Sequence, residues 1–246
     1  MIEILNFSKK YKRNEEPVVK NVNLTARSGK ITALLGLNGE GKTTLIKAIC
    51  GVHYASSGKI LVSSETEKID VAESPAAAKK LLGYMSENSF LPEKLTVREL
   101  LYSTCRLFSV EDEKINSNVN EVLKDCELTE VQNKKINLLS KGFQQRVNLA
   151  QALVHKPENL ILDEPVNGLD PAQIIQFRKI IKNVSKNKTV LLSTHLMQEV
   201  EALCDEINIL HKGEIIFSGS KEAFLEKTGK NNLDEAFIEI TQSKNE

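Results

Sequence analysis

The chain has 246 residues, 41% of them hydrophobic, enough for one large domain or two small ones around a sizeable core. Its 33 basic and 33 acidic residues cancel, which argues against a nucleic-acid binder, a class that shows a basic excess or a basic face. Met1–Lys10 lacks the apolar core of a signal peptide. No apolar run approaches the roughly 20 residues that span a bilayer, so the sequence predicts a soluble cytosolic chain whose membrane role, if any, comes through a partner.

In chain order, residues 2–8 and 18–26 read as strands. The second alternates apolar residues at Val22, Leu24 and Ala26, as a half-buried antiparallel strand does. The polar stretch Lys9–Pro17 between them carries Tyr11, which either packs at the surface or stacks on a base. Lys30–Leu35 predicts a buried strand. It feeds Gly36-Leu37-Asn38-Gly39-Glu40-Gly41-Lys42-Thr43-Thr44, which fits the phosphate-loop pattern Gly-x4-Gly-Lys-[Ser/Thr]. Glycines bring backbone N–H groups against phosphate oxygens, and the following helix N-terminus favours an anion. Lys42 is suited to neutralise the β and γ phosphates, and the Thr43 hydroxyl to ligate Mg2+. The helix runs over 44–50, with Gly51 as its C-terminal cap.

Gly58–Val62 predicts a further strand, 63–74 a loop, and Ala76–Leu82 a short helix before Gly83-Tyr84-Met85-Ser86-Glu87. Thr96 and Glu99 form a capping box that opens a helix to about Phe108. Charged helical stretches over 111–126 and 128–134 follow, without a strand, and read as a helical subdomain inserted into an α/β core. Ser140 predicts a cap for a helix over 141–155 with an apolar stripe of Phe143, Val147, Ala150 and Val154. Leu160–Leu162 is an apolar strand ending in Asp163 and Glu164. At the carboxyl end of such a strand, Asp163 is placed to hold Mg2+, directly or through water, and Glu164 to polarise an attacking water. Adjacent strand residues point to opposite sides and do different jobs. Asp170-Pro171 starts a helix to about Asn183. Thr189–Ser193 is a third buried strand with His195 just beyond it, a helix reaches about Cys204, 207–217 makes a hairpin, and 221–240 is an amphipathic helical tail. The four cysteines (Cys50, Cys105, Cys126, Cys204) have no metal-ligand spacing and read as free thiols.

With these residues in order, the chain resembles the nucleotide-binding domain of ATP-binding cassette (ABC) transporters over about residues 2–240. Gly36–Thr43 matches the first nucleotide motif and Leu160–Glu164 the second. Leu139-Ser140-Lys141-Gly142-Phe143-Gln144-Gln145-Arg146 matches the signature, Asn167-Gly168-Leu169-Asp170 the loop after the catalytic glutamate, and His195 the switch histidine. The resemblance implies a P-loop α/β fold: a mixed core sheet, an N-terminal antiparallel β subdomain and an inserted helical subdomain. It divides the chain at 1–87, 88–155, 156–220 and 221–246.

The resemblance also implies an Mg2+-dependent ATPase in which Glu164 is the base, Lys42 and His195 meet the phosphates, and Tyr11 stacks on adenine. Ser140, Lys141 and Gly142 then face the ATP of an opposite subunit, with Gly168 and Asp170 in the dimer loop. Its partners are a second copy or a related subunit and separate transmembrane permeases at the inner face of the membrane, with no nucleic acid. Three positions depart from the family pattern. Lys141 and Phe143 stand where Gly and Gln are usual, and Glu87 replaces the Gln that senses Mg2+. The Glu87 loop, the single cassette and Leu233–Glu239 resemble the type-2 exporter branch. Two alternatives stay open: a soluble ABC-type ATPase acting on nucleic acid or the ribosome, and a nucleotide-binding module without turnover.

Overall fold

The computed structural model describes residues 1–12, 15–88 and 90–242. Parts of the Lys9–Pro17 loop and of the 221–246 tail, together with Ser89, therefore lie outside the described residues.

The chain begins with β1 (Ile2–Lys9), β2 (Val19–Ala26) and β3 (Ile31–Leu35), then α1 (Lys42–Ile49), β4 (Ser57–Ser63), β5 (Lys68–Asp70), α2 (Pro75–Lys80) and β6 (Leu82–Met85). A helical run follows: α3 (Val97–Leu107), α4 (Asp112–Asp125) and α5 (Lys141–Leu153). It returns to β7 (Asn159–Asp163), α6 (Pro171–Val184), β8 (Thr189–Thr194), α7 (Met197–Leu203), β9 (Glu206–His211), β10 (Glu214–Ser220), α8 (Lys221–Thr228) and α9 (Leu233–Gln242).

Among the described residues two sheets form. One is antiparallel, in the order β2-β1-β4-β5. The other runs β10-β9-β3-β8-β7-β6, parallel except for the β9–β10 hairpin. This is the architecture the resemblance implies. Every residue of β3, β7 and β8 is buried, because helices or the second sheet cover both faces of the central strands. Alternation then divides their side chains between two cores. Leu34, Ile161 and Leu191 pack with α1 and the antiparallel sheet, while Leu35, Leu160, Leu162 and Leu192 pack toward α3–α7. The register sets Leu35 beside Thr194 and Asp163 beside Ser193, so the carboxyl ends of β3, β8 and β7 finish level. Open α/β sheets bind ligands at such an edge.

Several elements differ from the sequence expectation. The 63–74 stretch is not all loop: Leu61–Ser63 pair with the three residues of β5. The helix expected over 76–82 stops at Lys80, and Leu82–Met85 joins the core sheet beside β7. Gly83 allows this, since a Cβ there would sit 2.2 Å from the Ala152 carbonyl oxygen. Residues 128–134 make only one short 3-10 turn, Thr129–Val131. The tail is two helices, broken at Gly229 in the left-handed region (φ 66°). The Thr96–Glu99 capping box forms with both reciprocal bonds, and all four cysteines are buried free thiols.

Candidate active site

The level carboxyl edge opens into a cavity of about 200 Å3 lined by residues that follow four strand ends, among them Lys42, Thr43, Glu87, Glu164, Asn167 and His195. The phosphate loop forms its floor. Gly36 is required because a Cβ would meet the Leu210 carbonyl oxygen at 2.4 Å. Gly41 lies at φ +105° with Val19 and the Val18 carbonyl oxygen against it, a conformation and a space that only glycine fits. Leu37, Asn38, Gly39 and Thr44 also line the cavity. No acidic residue stands in the first turn of α1, so the helix start keeps its attraction for an anion.

The Lys42 ammonium is buried. It donates to the carbonyls of Gly36 (2.7 Å) and Leu37 (3.2 Å) and lies 3.5 Å from Glu164 Oε1. Glu164 Oε2 accepts from His195 Nδ1 at 3.0 Å, which makes Nδ1 the protonated ring nitrogen on that bond. Oε1 is buried with no hydrogen-bond partner among the described residues. Glu164 itself sits at φ +47°, an uncommon backbone for a non-glycine residue. Its N–H is held by the Ser193 carbonyl (3.1 Å) and hydroxyl (3.2 Å). Strand alternation is therefore not what separates Asp163 from Glu164. The chain leaves β7 at Asp163 and turns left-handed at Glu164, which carries only the second carboxylate into the cavity.

Asp163 stays behind that wall, 3% exposed. Ser193 Oγ donates to its Oδ1 at 2.5 Å and the Tyr84 hydroxyl to Oδ2 at 3.3 Å. Burial raises the carboxyl's pKa, against the pull of these two bonds. Tyr84 is pushed up as well, by burial first and then by the Asp163 charge, and so stays a donor. Glu87 reaches the cavity from the end of β6, where Asn167 Nδ2 donates to it at 3.0 Å.

Tyr11 stands at the rim, 53% exposed, its hydroxyl 3.1 Å from Thr44 Oγ1 and its ring edge-on to His53. Ser140, Lys141, Gly142, Gly168 and Asp170 are not among the cavity-lining residues. Asp170 caps α6 by accepting from the Gln173 N–H at 2.9 Å. Ser140 occupies the N-cap of α5, but its hydroxyl makes no capping bond, so the expected cap is backbone only. The Lys141 side chain lies over Gly168, in the loop after Glu164. Sequence reasoning missed Ser193, Tyr84 and the Asn167 bond to Glu87. Their partners lie 30, 79 and 80 residues away, and no local pattern marks them.

The donor set suits Mg2+. The exposed Thr43 hydroxyl and the Glu87 carboxylate are hard oxygen donors at one cavity, while Asp163, expected to hold the metal directly or through water, is buried outside its lining.

A family model described as "ABC transporter" matches residues 19–167. The ABC transporter ATP-binding protein NatA of Bacillus subtilis (strain 168) is 31% identical over 242 residues, 97% of each chain. The Nod factor export ATP-binding protein I of Rhizobium sp. (strain N33) is 33% identical over 211 residues, 85% of this chain and 68% of that one. Among solved structures, a dimeric ATP-binding cassette in a post-hydrolysis state with ADP and Pi superposes with a TM-score of 0.76 at 27% identity, over 89% of this chain and 98% of that one. The chain belongs to the ABC transporter family of ATP-binding proteins, and its reaction is ATP hydrolysis.

Proposed function

We propose that this chain powers export through separate transmembrane permease subunits, closing head to tail on a second copy or a related subunit around two MgATP. The observation that carries the reading is the split site. The crevice holds Lys42, Glu164 and His195, while Ser140–Gly142 present an exposed serine and a helix start outside it. A signature that serves an ATP from there serves another chain's, and the dimeric post-hydrolysis relative supports that arrangement.

Within one crevice the chain's own groups divide the work. The loop amides and the start of α1 bind the phosphates. Lys42 leaves its loop carbonyls and Glu164 for the phosphate charge, which frees the Glu164 carboxylate to take a proton from water. The water oxygen attacks the γ-phosphorus, and the bond to ADP breaks with its electrons on the leaving oxygen. His195 donates to Glu164 and holds its orientation. Thr43 and Glu87 would hold Mg2+, with Asp163 behind them. The metal, when bound, neutralises charge on the β and γ phosphates.

A second cavity supports the permease reading. It is an apolar groove of about 780 Å3 between α2, β6, α3 and α5, where Phe90 is 97% and Leu107 80% exposed and Lys79 and Lys80 also line the wall. Exposed apolar side chains gathered at a groove mark an interaction surface. Ser86 and Asn88 line this groove, while Glu87 between them lines the nucleotide cavity. The names of relatives that include a Nod factor export subunit favour the export direction.

The test is a pull-down of tagged Glu164→Gln protein from detergent-solubilised native membranes, with and without MgATP. Loss of the base should abolish turnover and trap the closed dimer. A co-purifying multi-span membrane protein, enriched or released by MgATP, is the expected result. Recovery of only soluble partners or nucleic acid would overturn the permease reading.

A further inference from the structure

Glu40 is an anion placed within the loop that must receive another anion. Its carboxylate does not face the phosphates freely. Oε1 meets His211 Nδ1 at 3.2 Å, and Oε2 accepts from the Lys212 backbone N–H. Both partners belong to the β9–β10 turn, 171 and 172 residues away in sequence. The pair is nearly dry, with side-chain exposures of 10% for His211 and 14% for Glu40. A carboxylate only accepts, so the ring's Nδ1 carries the proton. Nε2 is buried with no partner among the described residues, which leaves the bond to Glu40 as the ring's one polar contact there.

The same turn supports the loop elsewhere. The Leu210 carbonyl lies against Gly36, and the Lys20 N–H donates to the Gly213 carbonyl at 2.7 Å, beside Val18 and Val19 that press on Gly41. We infer that Glu40 and His211 form a clamp that positions the phosphate loop on the β9–β10 turn and turns the Glu40 charge away from the nucleotide. Both are positioning residues for ATP binding; neither touches the reacting atoms. The clamp rests on the reading that residues 36–44 bind MgATP.

The experiment compares wild type, His211→Ala, His211→Asn, Glu40→Ala and the Glu40→Ala/His211→Ala double variant. The readouts are the MgATP dissociation constant by fluorescent-nucleotide titration, steady-state KM and kcat, and apo Tm. His211→Ala leaves the Glu40 carboxylate held only by the Lys212 N–H. A lost hydrogen bond to a charged group predicts about a tenfold rise in Kd and KM, with kcat at saturating ATP within about twofold. His211→Asn, whose amide can donate from the Nδ1 position, should recover most of the affinity. The double variant should bind no worse than Glu40→Ala, because without the carboxylate there is nothing left to hold.

A His211→Ala Kd within twofold of wild type, or additive losses in the double variant, would overturn the clamp. If His211→Ala does not fold, the Glu40→Ala and His211→Asn comparison decides. Affinity lost equally in both then refutes the orienting role. Wild-type protein that binds no MgATP would instead overturn the nucleotide reading itself, and the clamp with it.

Discussion

Replacing Ser193 with Ala removes one buried oxygen from behind the site, and the structure says what that costs. Ser193 is fully buried, and its hydroxyl donates to Asp163 Oδ1 at 2.5 Å while accepting from the Glu164 N–H at 3.2 Å. The second bond has a substitute, since the Ser193 carbonyl also takes that N–H at 3.1 Å. The first has none. Asp163 would keep only the 3.3 Å bond from Tyr84, with one oxygen left bare in a buried site. Losing a hydrogen bond to a buried charge costs about 2–3 kcal/mol. For a chain of this size that lowers Tm by roughly 4–12 °C.

The sign of the pH dependence makes the test specific. Burial raises the Asp163 pKa and the Ser193 bond lowers it, so Ser193→Ala moves it further up. A carboxyl raised above its unfolded value is charged at a cost above that folded pKa. The cost fades as pH falls through the folded pKa toward the ordinary carboxylate range. The stability gap between wild type and variant should therefore be full near pH 8 and narrow as the medium is acidified. Urea unfolding at several pH values reads it directly. A gap below about 0.5 kcal/mol at pH 8 would refute the reasoning, as would one that does not change with pH.

Two further outcomes follow from named contacts. Glu87→Gln should keep the bond from Asn167, because an amide oxygen accepts as a carboxylate does, yet it loses a negative ligand. The Mg2+ concentration for half-maximal ATPase rate should rise about tenfold, and identical curves would remove Glu87 from the metal site. His155 is stacked on Phe108 and bonded to the Leu82 carbonyl, and burial pushes its pKa down to about 4 from 6.5. Between those values the unfolded chain binds a proton that the folded chain refuses. The contribution is thus complete above about pH 6.5 and is lost as pH falls toward 4, up to about 3 kcal/mol. His155→Gln, which cannot titrate, should flatten that part of the stability profile; an unchanged slope in urea unfolding would clear His155 of it.

What the sequence disclosed was what is local. The phosphate loop, the apolar strand feeding Asp163 and Glu164, the Asp170 cap and the Thr96–Glu99 box each specify their geometry within about ten residues, and each has a physical reason that a reader of residues can supply. β6 was hidden because it is four residues long and contains Gly83, whose reason is the Ala152 carbonyl rather than any strand preference. β5 is three residues at a sheet edge. Ser140 fits a capping pattern that its hydroxyl does not complete. The Glu164 turn was misassigned because alternation describes a strand, and Glu164 lies one residue past its end. The pairings that orient the site, Ser193 on Asp163, Asn167 on Glu87 and His211 on Glu40, join separate strand ends and exist only once the sheet has set its register.

Residues 86–88 leave β6 between the two cavities. Asn148 of α5 donates to the Ser86 carbonyl at 3.0 Å, and Asn167 holds Glu87 at 3.0 Å. Asn148 lies on α5, and Asn167 lies in the loop after Glu164. Displacing the Glu87 backbone would move Ser86 and Asn88 as well, since consecutive peptide units cannot stretch. Among the described residues, these two side-chain bonds anchor Ser86 and Glu87 to other segments, so these residues are easier to displace than the fully buried strands beside them. The buried sheet fixes the position of the phosphate loop, and the loop after β6 is the more easily displaced wall between the two cavities.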